Sequence, residues 1–535
     1  VEKSQCSFSQ LPFSSLFSTY IHDFPKVQPY FSANPFSNEE VKGRITRIPK
    51  YDNRIEVVNA LADYHSQLGV ADEQRTILEK FADDECLAIV TGQQLGVAGG
   101  PLYTIFKTIT TIILAKEWEQ KLQRPVVPVF WLADEDHDFE EIAQLGIPGN
   151  EELVELKLSQ DGKDLPVSEV QIDESITELF SKLRDEFPDT DFSEELFRRL
   201  QRYYTIGNTH AQAFAQLISS LFSSYGLMIA GSNHKKLKPL VSGVFKRSVT
   251  KVEQIQESLE SQSALLEQQY HRQVVNGSTN LFYFDEQGRN KIDREGEDWV
   301  IGDQKFTVEE LNSKIDSEPE RFSPNVFLRP IIQDALLPTI GYVAGPGEIA
   351  YYAQMKSYYE EFDMEMPVIF PRISATLLES GIDRIMQKLP FEMCSYNQRI
   401  EDLESRYIEL NSPADLDTLF NTWVADIQKS SEKPIERISS IDPTLKGMAG
   451  KTVSGFENEL NKLKGRVFRS LKQQEETQLK RIRKIKAQLF PDGLQERAVN
   501  PTYFMNKYGL DIWDKLIEDF SSQELDLSTH HIIKL

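Results

Sequence analysis

A chain of 535 residues is long enough for roughly two to four domains. Its 40% hydrophobic and 27% charged content is that of a soluble globular protein. With 59 basic against 83 acidic side chains, net −24, its overall field repels polyanions, so nucleic acid is not an expected partner unless a local basic patch overrides that field.

Cysteines stand only at Cys6, Cys86 and Cys394, too few for a thiolate-rich zinc site. The sequence shows neither a basic-then-apolar leader nor an apolar run of membrane length. No membrane partner is therefore expected, and the expected address is cytoplasmic.

Residues 1–48 scatter aromatics among turn formers and read as a wrap around a core. Over 53–81, Val57, Leu61, Tyr64, Leu68, Ile77 and Phe81 recur at a spacing that predicts helices interrupted near Gly69. Cys86-Leu-Ala-Ile-Val-Thr-Gly92 reads as a buried parallel strand. The loop 93–100 leads to Pro101, which suits the first position of a helix over 102–122. Val126-Val-Pro-Val-Phe-Trp-Leu-Ala133 is a second buried strand and ends in Asp134-Glu-Asp-His-Asp138. A strand, a crossover helix and a parallel strand form a right-handed unit. The glutamine-bearing loop and the acidic turn therefore share one sheet edge, where open α/β sheets bind ligands.

Residues 150–192 are acidic and weakly patterned, an excursion from the sheet. Tyr225-Gly-Leu-Met-Ile-Ala-Gly231 repeats the strand-and-loop grammar and precedes a predicted helix over 237–266, with Pro239 in its first turns. Short β runs at 280–284 and 305–306 predict a small β insertion within about 275–325. A strand at 339–344, the loop Gly345-Pro-Gly-Glu348, a helix over 349–362 and a strand at 366–372 make a second βαβ unit built like the first. Two such units predict an α/β fold with a doubly wound sheet over 1–375.

Beyond 375 the strand pattern ends. Helices over 379–410 and 416–431, and a run from Pro443 to 489 with Phe456, Leu460, Leu463 and Val467 at coiled-coil spacing, predict an α-helical domain over 376–492. Lysines and arginines striping 462–486 fit either a solvated flank or a contact for an acidic ligand. The segment 493–535 is aromatic enough to pack back on the body.

The glycine loop Gly92–Gly100 brings backbone N–H groups to a helix N-terminus as a candidate anion cradle, and Gln93 and Gln94 add two amides that can orient a polar ligand; the alternative is a structural turn. Neither the P-loop nor the dinucleotide fingerprint is present there. Tyr103 and Lys107 share a helix face just behind, within reach of a bound anion if they are not core. Asp134, Glu135, Asp136 and Asp138 crowd His137 directly after a buried strand, a costly arrangement unless a cation or ligand shares the site. His137 is a candidate acid/base or the group that holds an ammonium-bearing substrate's counter-charge, and magnesium is a candidate lodger; the alternative is a capped turn with solvated acids. The loop Gly345–Glu348 opens on the same edge, with Tyr351, Tyr352 and Gln354 following on its helix, as ligand wall or as simple cap.

Taken in order, Thr91-Gly-Gln-Gln94, Gly100-Pro-Leu-Tyr-Thr-Ile105, Pro128-Val-Phe-Trp131, Glu135-Asp-His-Asp138 and Ala344-Gly-Pro-Gly-Glu348 resemble the bacillithiol biosynthesis cysteine-adding enzyme family over nearly the whole chain. The resemblance implies a Rossmann-like, mostly parallel core like that of class I aminoacyl-tRNA synthetases, with connecting insertions, and a coiled coil that makes a homodimer. It also implies condensation of L-cysteine with the glucosamine amine of glucosaminyl-malate to give bacillithiol. An amide does not form usefully from free acid and amine in water without a leaving group, so ATP is expected to activate the carboxyl. On that footing His137, Asp136 and Asp134 are the expected catalytic residues. Gln93, Gln94, Gly92, Tyr103, Lys107, Glu135, Glu348 and Tyr352 are expected to hold substrate. The resemblance alone suggests a pocket for ATP or ADP around Glu379, Ser380, Gly381 and Tyr503. Two rival readings stay open: a nucleotide-binding coiled-coil adaptor without catalysis, and an RNA-binding synthetase relative using the basic helix.

Overall fold

The computed structural model describes residues 2–535 except 49–50, 161, 163–164, 278, 287, 413–414 and 492. Five strands form the central sheet: β1 (Leu87–Gln93), β2 (Val126–Leu132), β3 (Met228–Ala230), β4 (Thr339–Ala344) and β5 (Val368–Pro371). Their order is β5-β4-β1-β2-β3, and every neighbouring pair is parallel. All their residues except Gln93 are buried. Burial of consecutive residues requires cover on both faces, which is why these strands read as unbroken apolar runs.

The chain order reverses at β1, with β2 and β3 following on one side and β4 and β5 on the other. Right-handed crossovers then place α1 (Leu102–Leu122), which links β1 to β2, on the face opposite α2 (Pro346–Tyr352), which links β4 to β5. The junction of β1 and β4 is the switch point at which such sheets open a crevice. Register keeps the strand ends level there: Gly92 lies opposite Trp131, Thr91 opposite Val343, and Ala344 opposite Pro371. The N-terminal wrap closes the β5 edge, where the Tyr20 hydroxyl donates to the Ile369 carbonyl and Arg44 Nε donates to that of Met366 at 3.1 Å.

The β insertion is a five-stranded antiparallel sheet in the order Gln304–Phe306, Asp298–Ile301, Gly288–Glu295, Leu281–Asp285, Phe322–Pro324. Several boundaries differ from expectation. The helix predicted over 237–266 is broken into Lys238–Val241, Ser242–Thr250 and Val252–Glu267, because Lys251 leaves helical geometry at φ −111°, ψ 25°. The helix predicted over 349–362 breaks after Tyr352. There the buried Gln354 side chain donates to the Ser263 hydroxyl and the Val274 carbonyl, both at 2.9 Å, and accepts from the backbone N–H groups of Gln273 and Val274. Pro101 is the N-cap of α1, not its first turn. A strand at Ser374–Leu378, where no strand is expected, joins Glu2–Cys6 and His530–Lys534 in a three-stranded sheet.

The described chain divides into two compact units. The first takes residues up to Ile147, Val154–Leu377 and Gln495–Lys534, and the second takes Pro148–Leu153, Leu378–Leu494 and Leu535. Within the second, Leu416–Ile441 and Lys446–Gln474 pack as a helical hairpin through the turn Pro443–Leu445. The run predicted to 489 is interrupted at Glu475, and the helix predicted to end at 431 continues to Ile441 through Pro434. Of the expected seam, Leu460 is buried, whereas Phe456 and Leu463 are exposed. The basic stripe is partly neutralised inside the unit: Lys472 and Arg483 both bind Glu404, at 2.9 and 2.6 Å. Among the described residues no helix is long and apolar enough to cross a membrane.

Candidate active site

At the carboxyl ends of β1, β2 and β4 the first unit holds a cavity of about 780 Å³. Gly92, Gln93, Gln94, Tyr103, Lys107, Asp134, Glu135, Asp136 and Glu348 all line it, so the loop after β1, the turn after β2 and the loop after β4 meet as their shared sheet edge requires. Gly92 is glycine because the walls close in: a Cβ there would lie 3.2 Å from the Trp131 carbonyl and 3.3 Å from Arg329 Nη1.

Two of these segments are joined directly. The Gln94 amide donates to Asp136 Oδ2, while Asp136 Oδ1 accepts the backbone N–H groups of His137 and Asp138 at 2.7 and 3.2 Å. Burial alone would raise the Asp136 pKa, but these donors outweigh it and hold the carboxyl below its usual range. Asp136 is therefore an ionised acceptor at neutral pH. His137 is half-exposed and does not line the cavity itself; its Nδ1 sits 2.9 Å from Arg289 Nη1. A guanidinium can only donate, so Nδ1 must accept, and in the neutral ring the proton resides on Nε2. Arg289 comes from the β insertion and is held by the Pro324 carbonyl at 2.9 Å and by stacking 3.8 Å above the Phe282 ring.

The neighbouring acids are deeply placed. Asp134 is 1% exposed and Glu135 7%. Asp134 Oδ2 accepts from the Tyr64 hydroxyl at 2.5 Å and from the Asn233 N–H at 3.2 Å. Burial, then the adjacent Glu135 charge, pushes the Asp134 pKa up to about 7. Lys238, itself buried, pairs with Glu135. Gly231, after β3, makes room for this corner, since a Cβ would stand 2.6 Å from Asp134 Oδ2.

The opposite wall is basic and largely self-paired. Lys107 Nζ donates to the Gly92 carbonyl at 2.8 Å and to Gln93 Oε1 at 2.9 Å, and pairs with Glu348 Oε2 at 2.5 Å. Glu348 also accepts from the Tyr342 hydroxyl at 2.8 Å and the Gly345 N–H at 2.7 Å. The Tyr103 hydroxyl accepts from Gln93 at 3.2 Å, and burial pushes its pKa up to about 12. Arg372, after β5, pairs with Glu496 at 2.7 Å, and both are buried. Ser374 and the Ala375 N–H complete the Glu496 carboxylate at 2.9 Å each.

The remaining expectations fare differently. The stretch Leu95–Gly100, read as part of an anion cradle, is packed shut: the Ala98 N–H donates to the Tyr204 hydroxyl, and Asn500 donates to the Val97 and Gly100 carbonyls. Tyr352 does not line the cavity but lies fully buried against Tyr342 and Tyr351, and Tyr351 takes the wall position. Glu379, Ser380 and Gly381 open the helix Ser380–Met386 of the second unit. Tyr503, in the first unit, is buried with Lys507 over its ring; none of the four lines the cavity. Arg289, Arg329, Arg372 and Glu496 are wall residues that sequence reasoning missed. Arg329 donates to the Tyr351 hydroxyl at 3.1 Å but, unlike Lys107 and Arg372, forms no ion pair among the described residues. Only Arg372, the last residue of the strand predicted at 366–372, had a positional signal.

Residues 2–373 match the family described as bacillithiol biosynthesis BshC, N-terminal Rossmann-like domain, and residues 375–535 match its C-terminal coiled-coil domain. The chain belongs to the bacillithiol biosynthesis BshC family. Among its relatives, "Putative cysteine ligase BshC" of Salinibacter ruber is 34% identical, covering 97% of this chain and 96% of its own. Proteins of the same name from Halalkalibacterium halodurans and Bacillus cytotoxicus are 31% and 30% identical, covering 98% and 90% of this chain and 98% and 91% of their own. The five ordered motifs that carry the sequence resemblance fall on β1, α1, β2, the acidic turn and the loop after β4, so family membership and the cavity rest on the same segments.

Proposed function

We propose that the chain is a carbon–nitrogen ligase that joins L-cysteine to the glucosamine amine of glucosaminyl-malate, and that the cavity at the β1/β4 switch point is where it does so. Support comes from the cysteine-ligase name of relatives aligned over almost the full length and from the chemistry of the walls. The observation that carries the reading is the Gln94–Asp136 hydrogen bond, which ties the glutamine loop and the acidic turn into one ligand-facing surface.

In this reading the amine nitrogen attacks the carbonyl carbon of activated cysteine, the C–O bond to the activating group breaks as the C–N bond forms, and the proton released by nitrogen passes to the departing anion or to water. His137 is assigned as a hydrogen-bond donor through Nε2, because Arg289 occupies Nδ1. Asp136 orients the turn that carries it. ATP supplies the leaving group that an amide bond in water requires; Arg329, which forms no ion pair among the described residues, suits a phosphate or carboxylate oxygen. A nucleotide contact by Tyr503 belongs to the same proposal, and an unchanged nucleotide affinity in Tyr503→Ala would remove it. We assign self-association to the helical hairpin, where Leu419, Trp423, Met448 and Phe456 are exposed; sedimentation of a Trp423→Glu chain tests that assignment.

The deciding experiment mixes cysteine, glucosaminyl-malate and ATP with the protein and follows product by mass spectrometry. Product is expected with the parent chain and lost with folded Gln94→Ala and His137→Ala. Parental rates in both variants would take the reaction out of this cavity.

A further inference from the structure

In the acid corner, three acceptor atoms on residues lining the cavity are buried and meet no donor: Asp134 Oδ1, Glu135 Oε2 and Gln94 Oε1. The other half of each group is engaged. Asp134 Oδ2 takes two donors, Glu135 is paired through Oε1 with Lys238, and the Gln94 amide nitrogen is spent on Asp136. The orientation of Gln94 is fixed by chemistry: Asp136 is held ionised and can only accept, so Gln94 must turn its N–H₂ toward it and its carbonyl away.

Buried acceptors left without donors destabilise a fold, and adjacent buried carboxylates add repulsion. A ligand that relieves all of this must bring several donors, a positive charge and no lone pair. A sugar hydroxyl fails on charge and brings acceptors of its own. A divalent metal ion is disfavoured by the donor set, since among the described residues no three His, Cys, Asp or Glu are grouped to hold one. A primary ammonium, with three N–H donors and no acceptor, meets every requirement.

We propose that this corner is a receptor for a substrate's primary ammonium group, held by Asp134 Oδ1 with Glu135 Oε2 and Gln94 Oε1 as its further acceptors. The proposal rests on the ligase reading for its candidate ligands, because both substrates of that reading carry a primary amine. The raised Asp134 pKa agrees with a carboxylate that lacks a compensating cation until one binds.

Calorimetric titration of the full chain tests it with two ligand pairs that differ in the amine. One pair is L-cysteine and 3-mercaptopropionate; the other is methyl 2-amino-2-deoxyglucoside and methyl glucoside. In at least one pair the amine ligand is expected to bind about tenfold or more tightly than its partner, as a charge-assisted hydrogen bond would give. That pair identifies which substrate's nitrogen occupies the corner. Asp134→Asn, which keeps the shape and removes the charge, is expected to abolish the discrimination while leaving the amine-free ligand's affinity within about twofold. Glu135→Gln provides a second neutral variant should the first fail to fold, judged by its melting transition, and is expected to weaken the discrimination in the same sense. Equal affinity within both pairs, or discrimination that survives in the folded variants, would overturn the receptor and leave the ligase reading standing. No binding of either amine would overturn both.

Discussion

The two walls of the cavity treat charge in opposite ways. On the basic side, Lys107 is closed by Glu348 and Arg372 by Glu496, each pair with its remaining oxygens met by hydroxyl or backbone donors. On the acidic side, Asp134, Glu135 and Gln94 each keep one buried acceptor open. A satisfied ion pair holds geometry, whereas an unsatisfied group holds binding capacity, so the first wall reads as frame and the second as receptor. Arg329, which forms no ion pair among the described residues, departs from this pattern on the basic side.

That contrast can be broken in several ways. The largest effect is expected at His137, where His137→Ala should lower product formation about 10²–10⁴-fold if its Nε2 proton acts in the reaction; a fall of only a few-fold would make the acidic turn a bystander. Next comes the frame. Lys107→Met strands Glu348 and should lose about 3–5 kcal/mol in urea unfolding, and most of that should return on adding Glu348→Gln. If Lys107→Met were neutral, the pair would not be frame at all. Arg329→Gln should raise KM for the carboxylate-bearing substrate about tenfold with little change in kcat, the signature of lost uniform binding.

The smallest effect sharpens the comparison through pH. Burial raises the folded Asp134 pKa from 3.8 to about 7, so between these values the folded chain holds a proton that the unfolded chain has released. Stability contributed by that proton is present at low pH and lost as pH climbs through the window. Asp134→Asn should therefore stabilise by about 1 kcal/mol or more near pH 8 and change nothing near pH 4, read from urea midpoints. A gain that does not depend on pH would mean that Asp134 carries no unmet charge.

Much of the sheet was legible because continuous burial writes continuous apolar runs: Leu87–Gln93 and Val126–Leu132 lie within a residue or two of their predicted bounds. The meeting of Gln94 with the acidic turn was legible from the handedness of the crossover alone. What stayed hidden is tertiary. Nothing near Gly96–Gly100 announces that Asn500 and Tyr204 fill its hydrogen bonds, so the loop looked more open to an anion than it is. Arg289 reaches His137 from a strand 152 positions later in the chain, and no local spacing encodes that meeting. Tyr351 and Tyr352 differ by one helical position, about 100° of rotation, which is beyond what a capping motif can fix.

Glu496 and Asn500 come well after the last central strand, β5 (Val368–Pro371), yet one fixes the side chain of Arg372 and the other the loop that follows β1. During translation the sheet's strands emerge long before either arrives. The pocket floor is thus finished only once residues 496–500 have been made, and a nascent polypeptide ending before them would carry the parallel strands without a competent cleft.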